Sequence, residues 1–319
     1  MSFPLLEVRG LYKCYSRSAE PAIQSLDLEV RRGEILGLVG LNGAGKTTTI
    51  RVAAGVALPS AGRILVNGHD VVREKTEAGR QAGWVPETPL FEPGARALPL
   101  LRYHAGFYGL SGTSGRELCL KLLSEVGLQG QERKRFRTFS QGMKKRFALA
   151  RALLGDPPLL LLDEVLNGLD PEGVRYVREL VVRHRSEGKG VLLSSHILSE
   201  VEQVADRVAI IHHGRGVRIL GPEELRSSSA RVLKITIENL DDGVLELLAS
   251  FGTVQREGRV VYIIGARGAP AEVTAELVRR GYRVSEIGSE KRTLESYFFE
   301  AVGRPHEDGH PPGESRGAP

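Results

Sequence analysis

The chain has 319 residues, 41% hydrophobic and 26% charged, the composition of a soluble globular protein with room for two domains and a proper core. A net charge of +5 and a pI of about 9.2 suit an anionic membrane surface or nucleic acid equally well. Met1 to Gly10 lacks the basic-then-apolar order of a secretory signal, and the longest apolar run, Leu159–Leu162 with its neighbours, falls far short of the roughly 20 residues a bilayer needs, so a cytoplasmic chain without spans is expected.

Leu5–Leu11 and Ala22–Val30 read as strands, the second with Leu26, Leu28 and Val30 on one face. Between them lies Lys13-Cys14-Tyr15, whose aromatic ring has the shape to stack on a nucleobase. Glu34–Val39 is a short buried strand bounded by Gly33 and Gly40, and it leads into Gly40-Leu41-Asn42-Gly43-Ala44-Gly45-Lys46-Thr47-Thr48. That stretch fits G-x-x-x-x-G-K-[ST], with a helix predicted from Thr47 to Ala54. A glycine-rich turn between strand and helix aims successive backbone N–H groups inward, and the helix N-terminus adds partial positive charge. Lys46 is then placed to reach the β- and γ-phosphates, and the Thr47 hydroxyl to ligate Mg²⁺. A nucleoside triphosphate site is expected here.

Beyond it, Arg63–Val66 reads as a strand closed by the Asn67-Gly68 turn, and Ala82–Val85 as another that ends at Pro86-Glu87. Residues 88–139 change character. Leu98–Leu110 and Arg116–Val126 have helical spacing, with Gly109, Gly112 and Gly115 as breaks, so a helical insertion is expected in an α/β core. The core resumes with a helix from Gln141 to Leu154 and the strand Leu159–Leu162. Asp163-Glu164 follows at the strand's C-terminal end, where α/β sheets hold their ligands. Asp163 is thus delivered to the metal, and Glu164 is placed to polarise water against the γ-phosphate. Gly173–Arg185 is a helix, Val191–Ser195 a buried strand with His196 just past it, Leu198–Ala205 a helix and Arg207–Ile211 a strand. His212-His213 reads as a polar turn rather than a metal site, and the basic runs at residues 133–135 and 144–146 as solvated faces. Cys14 and Cys119, without metal-ligand spacing, read as unpaired thiols in a reducing compartment.

Arg226-Ser227-Ser228-Ser229 reads as a hinge. The order βαββαβ after it, over Val232 to Ile287, suggests a small ferredoxin-like domain, with a last helix from Thr293 to Ala301 and a disordered tail over 303–319. The expected domains are residues 1–225 and 230–302.

Phe139-Ser140-Gln141-Gly142-Met143 resembles the signature motif of ABC-type ATPases, Asn167-Gly168-Leu169-Asp170 their D-loop, and His196 their switch histidine. Tyr15 matches the adenine-stacking aromatic and Glu87 falls at the Q-loop position, so that residues 3 to 225 carry the motifs in family order. The resemblance implies an α/β P-loop core of ABC type with an antiparallel β subdomain and the helical insertion. It implies ATP held by Tyr15, Gly40, Asn42, Gly43, Gly45, Lys46, Thr47 and Thr48, and Mg²⁺ held by Thr47, Glu87 and Asp163. Glu164, His196 and Lys46 would be catalytic. It also implies a dimer of ATPase subunits, since Ser140 and Gly142 would cap a nucleotide bound to the other subunit's phosphate loop.

The sequence departs from the family pattern in three places: Glu87 replaces a glutamine, Gln141 a glycine, and Val165-Leu166 stand where Pro-Thr-like residues are common. None removes an essential group, and the Pro-Glu and Ser-Gln-Gly-Met sequences resemble the ABC-2-type exporter subfamily. An ATPase subunit on the inner face of the cell membrane is therefore expected, working with a transmembrane permease on a separate chain and with no direct nucleic-acid partner. The alternative is a soluble ABC ATPase acting on ribosomes or nucleic acid, but the paired ATPase units, long coiled coils or zinc cysteines usual there are missing. A GTPase or small kinase fits less well: Asp170-Pro171-Glu172-Gly173 matches D-x-x-G, yet no N-K-x-D follows.

Overall fold

In the computed structural model, which describes residues 3–16, 20–228, 231–291 and 294–302, three sheets carry the chain. Strands β1 (Leu6–Lys13) and β2 (Ile23–Val30) pair antiparallel, after which β3 (Ile35–Val39) opens a second sheet and runs into helix α1 (Lys46–Ala53). The chain returns to the first sheet as β4 (Ala61–Val66) and β5 (His69–Asp70), giving the order β2-β1-β4-β5. Helix α2 (Lys75–Arg80) leads to β6 (Ala82–Val85). Helices α3 (Ala97–Gly106) and α4 (Gly112–Glu125) and a 3₁₀ turn at Phe136–Thr138 form the insertion, and α5 (Gln141–Ala152) returns to the core.

The remaining core elements are β7 (Leu159–Asp163), α6 (Pro171–Ser186), β8 (Gly190–Ser195), α7 (Leu198–Glu202), β9 (Arg207–His212), β10 (Arg215–Leu220) and α8 (Pro222–Ser228). The second sheet has the order β10-β9-β3-β8-β7-β6, parallel from β9 to β6, with β10 antiparallel on its edge. Parallel strands covered on both faces are apolar throughout, and β7 shows why. Leu159 and Leu161 pack toward the antiparallel sheet, Leu160 and Leu162 toward the helices of the insertion. Each such leucine contributes about 2 kcal/mol through burial. The register sets Val39 beside Ser195 and Asp163 beside Ser194, so the C-terminal ends of β3, β7 and β8 lie level. Gly40, Glu164 and His196 leave the sheet side by side.

The third sheet holds β11 (Arg231–Ile237), β12 (Thr253–Glu257), β13 (Val260–Ile264) and β14 (Val284–Lys291) in the order β12-β13-β11-β14, all neighbours antiparallel. Helices α9 (Asp242–Ala249) and α10 (Pro270–Arg279) cover one face through Val244, Leu248, Val273 and Leu277. This is the ferredoxin-like arrangement. The last helix, α11 (Leu294–Val302), leaves it: Leu294, Tyr297 and Phe298 pack with Val39, Val201, Val208, Ile210 and Leu220 of the central sheet region.

Several expectations need correction. Gly112 and Gly115 do not break a helix, because α4 begins at Gly112 and runs through Gly115. A Cβ on Gly115 would stand 2.6 Å from the Leu110 carbonyl oxygen, so the glycine allows close approach of the preceding loop. The serine stretch expected as a hinge continues α8 through Ser228, and Ser229 lies outside the described residues. So do Thr293 and the tail from 303 onward. Helix α7 ends at Glu202, before Ala205, and α2 and β10 went unforeseen.

Candidate functional site

Helix α1 begins at Lys46 behind Gly45, which has φ of 110°. A Cβ there would stand 2.5 Å from Ile23 Cδ1 and 2.8 Å from the Ala22 carbonyl oxygen, so only glycine fits. No side chain caps this helix and its first turn holds no acidic residue. Its leading N–H groups therefore keep their capacity for an anion. Asn42 and Gly43 form the exposed tip of the loop, closed behind them by the Ala44 N–H donating to the Leu41 carbonyl at 3.1 Å. Lys46 is 5% exposed; its Nζ donates to the carbonyls of Gly40 (2.6 Å) and Leu41 (3.2 Å) and lies 3.3 Å from Glu164 Oε1.

Asp163 Oδ1 accepts hydrogen bonds from the hydroxyls of Thr47 (3.1 Å) and Ser194 (2.9 Å). Its Oδ2 is buried with no hydrogen-bond partner. Burial pushes the Asp163 carboxyl above its ordinary pKa; the two hydroxyls hold it back, and the charges of Glu87 and Glu164 add to the rise. Glu87 itself is exposed past the end of β6.

Glu164 is 4% exposed and sits at φ of 47°, a left-handed backbone that costs a non-glycine residue about 1 kcal/mol. Surrounding bonds fix it there. Its N–H donates to Ser194 Oγ at 3.0 Å, and its carbonyl accepts from Lys145 Nζ at 2.8 Å. On the side chain, Oε2 accepts from Asn167 Nδ2 (2.9 Å) and from the His196 N–H (3.3 Å), and lies 2.9 Å from His196 Nδ1. The carboxylate thus touches the phosphate-loop lysine on one side and the half-exposed His196 ring on the other. Tyr15 borders the same region: its hydroxyl donates to Thr48 Oγ1 at 3.4 Å, its ring is 58% exposed, and Lys13 Nζ lies 4.7 Å from the ring centre.

Residues 23–167 match the ABC transporter family. The bacitracin transport ATP-binding protein of Bacillus licheniformis is 32% identical over 304 residues, 94% of this chain and 97% of that one. The chain belongs to the ABC transporter ATP-binding family. A fluoroquinolones export ATP-binding protein of Mycobacterium tuberculosis is 31% identical over 300 residues, 94% of each chain. A solved ATP-binding subunit of an ABC transporter matches with a TM-score of 0.63 at 29% identity, covering 86% of this chain and 99% of that one. As an ABC ATPase the chain binds and hydrolyses ATP.

In this ABC ATPase the residues read from the sequence fall into two groups. Lys46, Thr47, Asp163, Glu164 and His196 meet at the C-terminal edge of the parallel strands, with Tyr15 and Thr48 beside them. Ser140 and Gly142 lie apart at the start of α5. The Ser140 hydroxyl accepts from the Met143 N–H at 3.2 Å, and a Cβ on Gly142 would face the Gly168 carbonyl oxygen at 3.6 Å. Among the described residues no hydrogen bond joins Ser140 or Gly142 to the phosphate loop.

Two residues of the site were missed. Ser194 contacts both Asp163 and the Glu164 backbone, a role visible only once β7 and β8 are in register. Lys145 was read with its basic neighbours as solvated, yet it is 6% exposed and also donates to the Asn167 carbonyl at 2.5 Å. Burial lowers its pKa, against the pull of Glu87, Glu164 and Asp163. A signal was present: Lys145 shares a helical stripe with Ala148, Leu149 and Ala152, all buried.

Proposed function

We propose that the chain is the ATPase subunit that energises a membrane exporter, with the transmembrane helices on a separate polypeptide and two ATPase subunits closing on ATP. The observation that carries this reading is the split site, which sets the triphosphate-binding group and the Ser140–Gly142 group apart on one chain. A second copy or a paralogue, turned to present Ser140 and Gly142 to the γ-phosphate, completes it. The bacitracin and fluoroquinolone transport proteins, similar along nearly the whole chain, support export as the direction. The net charge of +5 suits a place on the anionic inner face of the cell membrane. Residues 1–225 form the ATPase unit in this reading, with 88–139 and Glu87 meeting the membrane partner's helices. Residues 230–302 are an accessory unit.

In the mechanism Lys46 and the N–H groups at the start of α1 hold the β- and γ-phosphates, while the Tyr15 ring stacks on the adenine. Asn42, Gly43, Gly45 and Thr48 shape the cradle. The orphaned Asp163 Oδ2 beside the Thr47 hydroxyl is an all-oxygen donor set that fits Mg²⁺, with Glu87 as a further donor. A magnesium ion held there would supply charge neutralisation and orientation of the triphosphate. Glu164, in contact with His196, accepts the proton of the attacking water, and the histidine holds the carboxylate toward the γ-phosphate. Glu164→Gln separates the steps: ATP binding is kept, hydrolysis is lost, and an ATP-held dimer appears on gel filtration. An ATP-bound monomer in that variant rules out the sandwich, and co-purification of the native subunit with a membrane protein tests the exporter assignment.

A further inference from the structure

Lys145 stands on α5, the helix capped by Ser140, yet both its hydrogen bonds cross to the loop after β7. Its ammonium takes the carbonyl of Glu164 at 2.8 Å and that of Asn167 at 2.5 Å. The two are linked again through their side chains, since Asn167 Nδ2 donates to Glu164 Oε2 at 2.9 Å. One buried cation therefore grips the acid and the residue that aims the acid. The opposite side of the Glu164 peptide is held by Ser194 Oγ, so a left-handed backbone is pinned at its N–H from β8 and at its carbonyl from α5.

We infer that Lys145 is a positioning residue for ATP hydrolysis, fastening Glu164 and Asn167 to the helix that carries the signature motif. The inference rests on the reading of Glu164 as the proton acceptor. Lys145 does not contact ATP; it acts by fixing where the Glu164 carboxylate points. Two parts of one chain are thereby joined: the face that completes a neighbouring subunit's site and the acid that works in its own. A shift of α5 on docking against a nucleotide moves the Glu164 carbonyl with it, so closure of one site aligns the acid of the other.

The test is a mutant cycle on the full-length chain, read as steady-state ATP hydrolysis and equilibrium ATP binding. Lys145→Met, which keeps the stem and removes the donors, lowers kcat at least tenfold while KM and ATP affinity stay within twofold. In a Glu164→Gln background the same substitution lowers the residual rate by less than twofold, because the group it positions is already gone. Lys145→Arg, which keeps charge and donors, retains at least a third of kcat and serves if the methionine variant does not fold. A wild-type kcat in Lys145→Met overturns the inference. So does an equal proportional loss in both backgrounds, or a folded arginine variant as slow as the methionine one. Full hydrolysis in Glu164→Gln alone is a separate result that removes the proton-acceptor reading.

Discussion

At the scale of single residues, the site relies on two unusual backbones serving opposite ends. Gly45, at φ of 110°, lets the chain turn into α1 against Ile23 and Ala22. Glu164, at φ of 47°, holds a strained conformation that only its surroundings maintain. Gly45→Ala places a methyl group inside contact distance and forces a backbone alanine avoids, at a cost of about 1–3 kcal/mol. ATP affinity should fall at least tenfold and the urea midpoint should drop; wild-type values of both in equilibrium dialysis and urea unfolding would contradict the geometry. That Gly45, Lys46, Thr47, Asp163 and Glu164 come together was legible in the sequence because they stand in two short contiguous runs. Ser194 was not, since its role depends on the strand that happens to lie beside β7. Lys145 was misread because three adjacent basic residues suggested solvent, although helical spacing buries only one of them.

Among the elements, α6 depends on Asp170, which caps it by accepting from the Gly173 N–H at 3.0 Å and also pairs with Arg146 at 2.6 Å. Arg146 is 13% exposed in its side chain, so losing Asp170 leaves its cation only the Val126 carbonyl at 3.5 Å as well as uncapping a helix. Asp170→Ala should lower the urea midpoint with an unchanged m-value, and Asp170→Asn, still a cap, should lower it clearly less. An alanine variant as stable as the parent would dismiss the cap. The strongly apolar strands and long amphipathic helices were readable for a physical reason: burial on both faces or on one stripe imposes a period. Strand β10 carries little of that signal, because all of Arg215–Ile219 is exposed and only pairing with β9 makes it a strand. Helix α4 starts earlier than the glycines suggest, because Gly115, read as a break, serves close packing inside it.

For the whole molecule, acid stability is tied to His184, buried where α6 meets the insertion and the far edge of the central sheet, in a cleft shared with Tyr108, Leu122 and Leu153. Burial, with the nearby Lys189 cation, lowers its pKa from 6.5 to about 4, against weaker pulls from Glu187 and Asp156. The folded chain therefore binds this proton less readily than the unfolded one. The stability it protects is complete above pH 6.5 and is lost as pH falls toward 4, in all about 3 kcal/mol. Between pH 7 and 5 the urea-unfolding free energy should decline, and His184→Leu should flatten that decline; an unchanged slope would refute the assignment. The Asp170 and Glu224 carboxyls, held low chiefly by the Arg146 hydrogen bond and by the Gly221 N–H respectively, act only further into acid.

Helix α11 returns from the third sheet to seat Tyr297 and Phe298 in one apolar cluster with Val201, Val208, Ile210 and Val39, the last residue of β3 before the glycine turn. The final described segment is thus a plug for the enzyme's own flank. A clone cut after β10, though it would still encode every motif from Tyr15 to His196, would bare that greasy socket and precipitate, whereas a cut beyond residue 302 would spare it. Phe298→Ala, loosening the plug without removing it, should cost about 3–5 kcal/mol.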